Sequence, residues 1–424
     1  MKKIISFLLM SILIISCSNK NDKKEALKTK NLSAAEILGN PKYLALSYGG
    51  YRQVNHNIEP TVEELKEDMK LVSAMGVKIV RTYKVFLPQA TNLLKAISEL
   101  KKEDPTFEMY VMLGAWIDCQ NAWTANPNHD AENLEANTAE IEHTVNLTNK
   151  YPDIVKIIAV GNEAMVHWAS SYFVRPKVIL KYVNYLQNLK KINKLPAKLW
   201  ITSSDNFASW GGGSADYHTE NLTKLLKAVD YVSLHTYPFH NTHYNNNFWL
   251  VPTTEKSLST KEKIDKAMIR AKNNAISEYQ AATDYIKSLG IDKPVHIGET
   301  GWSSASDGFY GNKGSKAADE YKTALYYKYM REWTYNAKMS CFYFEAFDEQ
   351  WKDAKNPLGP ENHFGLINLK GQAKYAIWEL VDAGAFKGLT RNGQPITKTY
   401  KGDLNTLKKE ILTPPLTSKK NEKK

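Results

Sequence analysis

Val295-His296-Ile297-Gly298-Glu299-Thr300-Gly301-Trp302 is a short apolar run that stops at a carboxylate, and Ile157-Ile158-Ala159-Val160-Gly161-Asn162-Glu163 does the same earlier in the chain. Strands buried on both faces read as nearly continuous apolar or β-branched runs. Working outward, similar runs cover Tyr43–Ser47, Val77–Thr82, Glu108–Leu113, Val155–Val160, Leu199–Thr202, Tyr231–Leu234, Val295–Ile297 and Ser340–Phe344. Helical patterns separate them. After Pro60, Thr61 with Glu64 reads as a capping box, Val62, Leu65, Met69 and Val72 recur at helical steps, and Gly76 stops the helix. Further helices are predicted over 89–103, 131–150, 176–193, 217–227, 260–289, 316–336 and 372–383. Strand-then-helix alternation repeated eight times predicts a (β/α)8 TIM barrel, one catalytic domain over residues 41–390. An open doubly wound sheet is the competing α/β reading. It lacks support, because no G-x-G-x-x-G follows the first strand and Gly211-Gly212-Gly213 follows the fifth.

Composition narrows the function. At 43% hydrophobic and 24% charged, the 424 residues are ordinary for a globular protein, which excludes wholesale disorder and collagen-like repeats. Aromatic residues make up 11% of the chain, a supply of flat rings that suits a sugar-binding cleft. The net charge of +11 is not a nucleic-acid signal. Seven Lys against Asp22 and Glu25 in residues 1–30, and six Lys against Glu410 and Glu422 in 408–424, account for nearly all of it. The body between is close to neutral, so no nucleic-acid partner is expected.

Lys2 and Lys3 precede the apolar run Ile4 to Ile15, which is too short for a stable membrane span, and Ile14-Ile15-Ser16-Cys17 follows. This resembles a bacterial lipobox. The expectation is a lipoprotein signal over 1–16, lipid on Cys17, and a polar Lys-rich tether over 17–40 too poor in apolar residues to fold. That implies a membrane contact through lipidated Cys17 and a place in the bacterial cell envelope, at the outer membrane rather than the inner, facing periplasm or surface. Residues 391–424 read as an extension with a basic tail, solvated from Thr413 onward. Cys119 and Cys341 read as buried free thiols.

In such barrels the reacting groups stand where strands meet their βα loops. A charged side chain directly after a buried strand is costly unless it is paired or working. Glu163 and Glu299 both occupy such positions, at the ends of strands four and seven. Two carboxylates in one mouth suit glycosidic bond cleavage, one as acid for the leaving oxygen and one as nucleophile or base. Asn162 beside Glu163 suits the sugar 2-OH, which makes Glu163 the acid/base and Glu299 the nucleophile, with Trp302 beneath a sugar ring. Tyr83 and Tyr237 end strands two and six, where a phenol can reach the nucleophile or the sugar. Arg81 reads as a buried partner for the barrel carboxylates. Trp116 and Asp118 after strand three, and Trp351 after strand eight, are subsite candidates beside plain packing, and Asp205 is a further polar candidate. His235, His240 and His243 have no helical ligand spacing and no adjacent carboxylate or Cys, so neither metal nor cofactor is expected.

The motifs resemble glycoside hydrolase family 17. Gly161-Asn162-Glu163 is similar to that family's acid/base motif and Gly298-Glu299-Thr300-Gly301-Trp302 to its nucleophile motif. The stretch from Phe344 through Glu345 to Lys352, followed by Glu361-Asn362-His363-Phe364-Gly365-Leu366, is similar to its eighth-strand motif. The resemblance runs from about Tyr43 to about Trp378. It implies a retaining β-1,3-glucanase or β-1,3-glucan glucosyltransferase acting on glucans such as laminarin. It also implies substrate-side roles for Glu345, Glu349, Lys352 and Glu361, with a lysine near Glu299 favouring its ionised form. Retention predicts carboxyl groups about 5–5.5 Å apart. Leu46-Ser47-Tyr48-Gly49-Gly50-Tyr51 departs from the Gly-Val-x-Tyr-Gly segment of plant members, and the loops at 211–213 and 238–259 are longer than theirs. Glucan transfer is the alternative to hydrolysis, and a glucan-binding lipoprotein without catalysis is a second one.

Overall fold

Val155–Asn162 stays buried from Val155 through Gly161 because its apolar side chains face helices on one side and the barrel interior on the other. The same holds for all eight strands of the computed structural model, which describes residues 32–417. They are β1 (Leu44–Ser47), β2 (Val77–Arg81), β3 (Tyr110–Ala115), β4 (Val155–Asn162), β5 (Trp200–Asn206), β6 (Val232–His235), β7 (Val295–Gly301) and β8 (Cys341–Phe344). All pair in parallel and close in the order β1-β8-β7-β6-β5-β4-β3-β2. Eight helices follow them in turn: α1 (Val62–Ala74), α2 (Pro88–Glu103), α3 (Leu134–Lys150), α4 (Pro176–Lys191), α5 (Glu220–Ala228), α6 (Thr260–Ser288), α7 (Glu320–Asn336) and α8 (Trp378–Asp382). The expected (β/α)8 barrel is therefore the fold. Thr61 caps α1 as read, its hydroxyl accepting from Glu64 N at 3.2 Å while Glu64 Oε2 accepts from Thr61 N at 2.8 Å. Cys119 and Cys341 are buried free thiols.

Several boundaries move for local reasons. Helix α3 starts at Leu134, capped by Asn133, because Asn128–Glu132 instead pairs with Cys119–Gln120 in a hairpin beyond β3. Helix α7 starts at Glu320 under an Asp319 cap. The predicted helix over 372–383 shortens to α8, since Gln372–Ala373 pairs with Thr397–Lys398. The loop after β6 carries its own short helix, Pro238–Tyr244.

Both ends of the described chain are more ordered than read. The tether over 17–40 is too long by its last residues: Ser33 caps a helical turn, Ala34–Ile37, through a capping box with Glu36. Ala34, Ile37 and Leu38 pack with Ala45, Ile79, Tyr110, Ile157, Tyr231 and Phe342, the inward side chains at the strands' N-terminal ends. A few apolar residues in a polar stretch are enough, because they plug the base of the barrel. The solvated tail from Thr413 is likewise corrected, since Val251 N donates to Pro415 O at 2.8 Å and Thr417 N to Val251 O at 2.9 Å. Arg391 is buried in the extension, its Nε donating to Asp68 at 3.0 Å. The signal over 1–16, Cys17 and the last basic residues, 418–424, lie outside the described residues. No helix among the described residues is long and apolar enough to cross a membrane.

Candidate active site

Glu163 follows β4 through a backbone that few residues adopt. Gly161 has φ +81°, which only glycine takes readily, and Glu163 itself has φ +46°. Its amide donates to Ser204 O on β5 at 2.9 Å, which fixes the turn. The carboxylate Oε1 lies 3.1 Å from His235 Nδ1, and the other ring nitrogen of His235 lies 2.7 Å from Ser204 Oγ, itself 2.8 Å from Ser233 Oγ. Burial, and then the charge of Glu299, push the Glu163 carboxyl up to about 8, with Arg81 opposing. His235 is driven down to about 4 by burial, so at neutral pH it is an uncharged hydrogen-bonding partner.

Glu299 ends β7 in the opposite electrostatic setting. A Cβ on Gly298 would run into Ser233 Oγ, so the strand before the carboxylate lies closer to β6 than a side chain allows. Oε2 accepts from Arg81 Nη1 at 2.5 Å and from the Tyr83 hydroxyl at 3.0 Å, and Oε1 accepts from Tyr237 Oη at 2.7 Å. Burial works to raise this carboxyl, but the cationic and hydrogen-bonding groups around it outweigh burial and hold it below the usual range. With His235 neutral, the cation responsible is Arg81. The two glutamates are thus split: one keeps its proton, the other stays ionised.

Arg81 joins the halves of the site. Buried at the end of β2, it also donates through Nη2 to Asn162 Oδ1 at 2.5 Å. Asn162 therefore stands beside the acid as expected, its amide oxygen already held. Arg81 was read as a carboxylate partner, and it is one. The expected lysine beside Glu299 is corrected accordingly: Lys352 Nζ instead binds Glu345 at 2.6 Å and Glu349 at 3.0 Å and lies 4.1 Å from the Phe344 ring. Glu349 Oε1 also accepts from Tyr51 N at 2.8 Å, and Gly49 leaves room for that carboxylate where a Cβ would collide with it. Glu361 makes its own contact with His240, its Oε1 3.8 Å from His240 Nε2, and burial raises its carboxyl to about 7 with Lys352 opposing.

Trp302 is not beneath a sugar. It is fully buried, donates from Nε1 to Ala317 O at 2.8 Å and packs on Phe239, Trp249 and Tyr326, because the strand's alternation turns it outward from the mouth. Trp351 is half-buried, stacked on His56 at 3.9 Å and edge-on to Tyr51. Trp116 donates to Asp118 Oδ1 at 2.7 Å. Asp205 accepts from Met165 N at 2.7 Å and is buried, so it braces the loop after Glu163. His235 and Ser204, which hold Glu163 in place, are site residues that the sequence reading did not single out. The strand-end rule that finds Glu163 also applies to His235, the last residue of β6. Among the described residues no group of three or more His, Cys, Asp or Glu is arranged to hold a metal ion.

Residues 45–365 match the BtgE/BtgC glycoside hydrolase domain, a span covering most of the chain and containing both carboxylates. The chain belongs to this family. This BtgE/BtgC domain is 61% identical to an endo-laminarinase from Formosa Hel1_33_131, whose crystal structure it matches with a TM-score of 0.90 over 92% of this chain and 99% of that one. A glycoside hydrolase family 17 β-1,3-glucanosyltransferase from Rhizomucor miehei shares the fold, at 20% identity and TM-score 0.54 over 79% of this chain and 96% of that one. Among curated relatives, a glucan 1,3-beta-glucosidase from Arthroderma benhamiae is 24% identical over 319 residues, 74% of this chain and 83% of that one. A probable glucan endo-1,3-beta-glucosidase, btgC, from Aspergillus clavatus is 24% identical over 77% of this chain but only 40% of its own length.

Proposed function

We propose that this BtgE/BtgC hydrolase cleaves β-1,3-glucosidic bonds in glucans of the laminarin type by double displacement with retention. The observation that carries the reading is the division of the carboxylate pair: Glu163 half-buried beside His235 with its proton, Glu299 ionised between Arg81, Tyr83 and Tyr237. Glu299 attacks the anomeric carbon while Glu163 donates its proton to the departing glycosidic oxygen. Glu163, now a carboxylate, then takes a proton from water, whose oxygen displaces Glu299. The phenols and the guanidinium orient the nucleophile, and Asn162 keeps its amide donors for a ligand hydroxyl because Arg81 holds its oxygen. The endo-laminarinase from Formosa, at 61% identity, supports the choice of substrate.

Laminarin digestion with product analysis tests the reading. The first product formed should carry the β anomer by proton NMR, and Glu299→Gln should abolish turnover. Glu163→Gln should lose the first step unless the leaving group is a good one, and azide should restore its second. α-Anomer formation, or wild-type turnover by Glu299→Gln, would overturn it. Transfer to a second glucan is the other outcome of the same intermediate, and product lengths growing over time would reveal it. For the chain's N-terminus we propose lipid attachment at Cys17 and an outer-membrane location, supported by the lipobox-like sequence. Loss of membrane fractionation and of palmitate labelling in Cys17→Ser is the expected result.

A further inference from the structure

The loops after β3 and β4 carry an aromatic group that the catalytic pair does not use. Trp123 stacks on Tyr172 at 4.8 Å and 21°, Tyr172 meets Trp116 at 5.2 Å, and the two indoles are 6.4 Å apart at 28°. Trp123 is 61% exposed, yet its backbone is in the left-handed region at φ +65°, an arrangement a bulky residue adopts only when its surroundings impose it. Two backbone bonds impose it here. Trp123 N donates to Ser171 O at 2.8 Å, and Cys119 N donates to Tyr172 O at 3.1 Å, clamping the hairpin beyond β3 to the loop that follows Glu163. A flat indole is thus held out to solvent on a rigid mount. A cavity of about 440 Å³ adjoins Trp116 at the back of the group, lined also by Asp118, Lys84, Phe86, Asn133 and Asn137.

We propose that Trp123, with Tyr172 and Trp116 behind it, is the platform on which the cleft holds the leaving-group side of a β-glucan chain. This rests on the glucan reading above. The side follows from the chemistry. The sugar that becomes attached lies over Glu299, at the end of β7. The glycosidic oxygen lies toward Glu163, which protonates it, and the departing chain continues past Glu163 toward the loops of β3 and β4. Indole faces cover the C–H faces of pyranose rings, and a polar groove beside them takes the hydroxyls. Trp351, stacked on His56 across the mouth beyond β8, belongs to the other side.

The test is the position of the cut in a reducing-end-labelled laminarihexaose, for wild type, Trp123→Ala and Trp123→Phe. An exposed ring can be removed without unfolding the barrel, and thermal melting confirms that for each variant. Wild type should release long labelled fragments. Trp123→Ala should move the cut toward the label and raise KM for the hexaose roughly three- to tenfold, with kcat less affected, while Trp123→Phe restores much of the wild-type pattern. An unchanged pattern, or a shift away from the label, would overturn the platform or place it on the opposite side. Wild type that cleaves no glucan at all would instead sink the functional reading itself.

Discussion

Replace Arg81 with methionine and Glu299 is left buried with two phenols and no cation. Its ionised form then loses the guanidinium that pairs with it, so its affinity for a proton rises. The pH dependence follows with its sign. In wild type, activity falls on the alkaline side as Glu163 loses its proton near pH 8, and on the acid side only where Glu299 is protonated, below the usual carboxylate range. Arg81→Met should move the acid limb upward, narrow the bell from that side, and lower kcat on the order of a hundredfold. A rate profile of kcat/KM from pH 3 to 10 reads both effects, and an acid limb that stays in place would assign the control of Glu299 elsewhere. Both carboxylates were legible from their strand-end positions. Arg81 as the shared partner of Glu299 and Asn162 was legible only in part, because the end of β2 meets those of β4 and β7 only once the barrel closes.

Elements were legible where periodicity is strong and blurred where a pairing partner is distant. All the strands but the first declare themselves by nearly continuous apolar runs, and α1 by its capping box. The hairpin beyond β3 does not: Cys119–Gln120 and Asn128–Glu132 are polar, and only their pairing makes them strands. Trp302 misled because its place in the motif suggested the cleft, whereas the third position beyond the inward Glu299 falls on the opposite face of the strand and packs against the helices. The base plug was hidden for another reason. Ala34–Ile37 is too short to show a helical period, and its stability comes from the barrel interior it covers. Ile37→Ala should cost roughly 2–5 kcal/mol in urea unfolding while leaving kcat within about twofold, since the plug touches no group in the mouth. A variant that lost activity without losing stability would contradict that separation.

At the scale of the whole molecule, buried ionisable groups tie stability to pH. Burial raises Glu163 to about 8, and Asp205 and Glu278 to about 7, so the folded chain keeps protons that the unfolded chain has released. The stability these groups add is fully present below the unfolded carboxylate range and is lost as pH rises through 7 to 8. His235 and His296, lowered to about 4 by burial, act the other way, adding stability above their unfolded pKa and losing it as pH falls toward 4. The two sets oppose each other between about pH 4.5 and 6.5, and above that only the carboxylates still titrate. With Glu361, also raised to about 7, and His240, also lowered to about 4, the carboxyls outnumber the histidines, so the melting temperature should fall gently over the lower window and more steeply from about pH 6.5 to 8, with Asp205→Asn reducing the fall. A melting temperature that stays flat over that upper window would mean that these side chains ionise freely in the native state.

The plug also sets a direction. Leu32 to Leu38 lies beside the starts of the strands, with Gly39 N bonded to Ser340 Oγ just before β8, so the described chain begins at the floor of the barrel. Glu163 and Glu299 open at the ceiling. Were the chain tethered through the proposed lipid on Cys17, the enzyme would hold its cutting edge toward the surroundings, and a polymer too large to pass beneath it could still be gripped from outside.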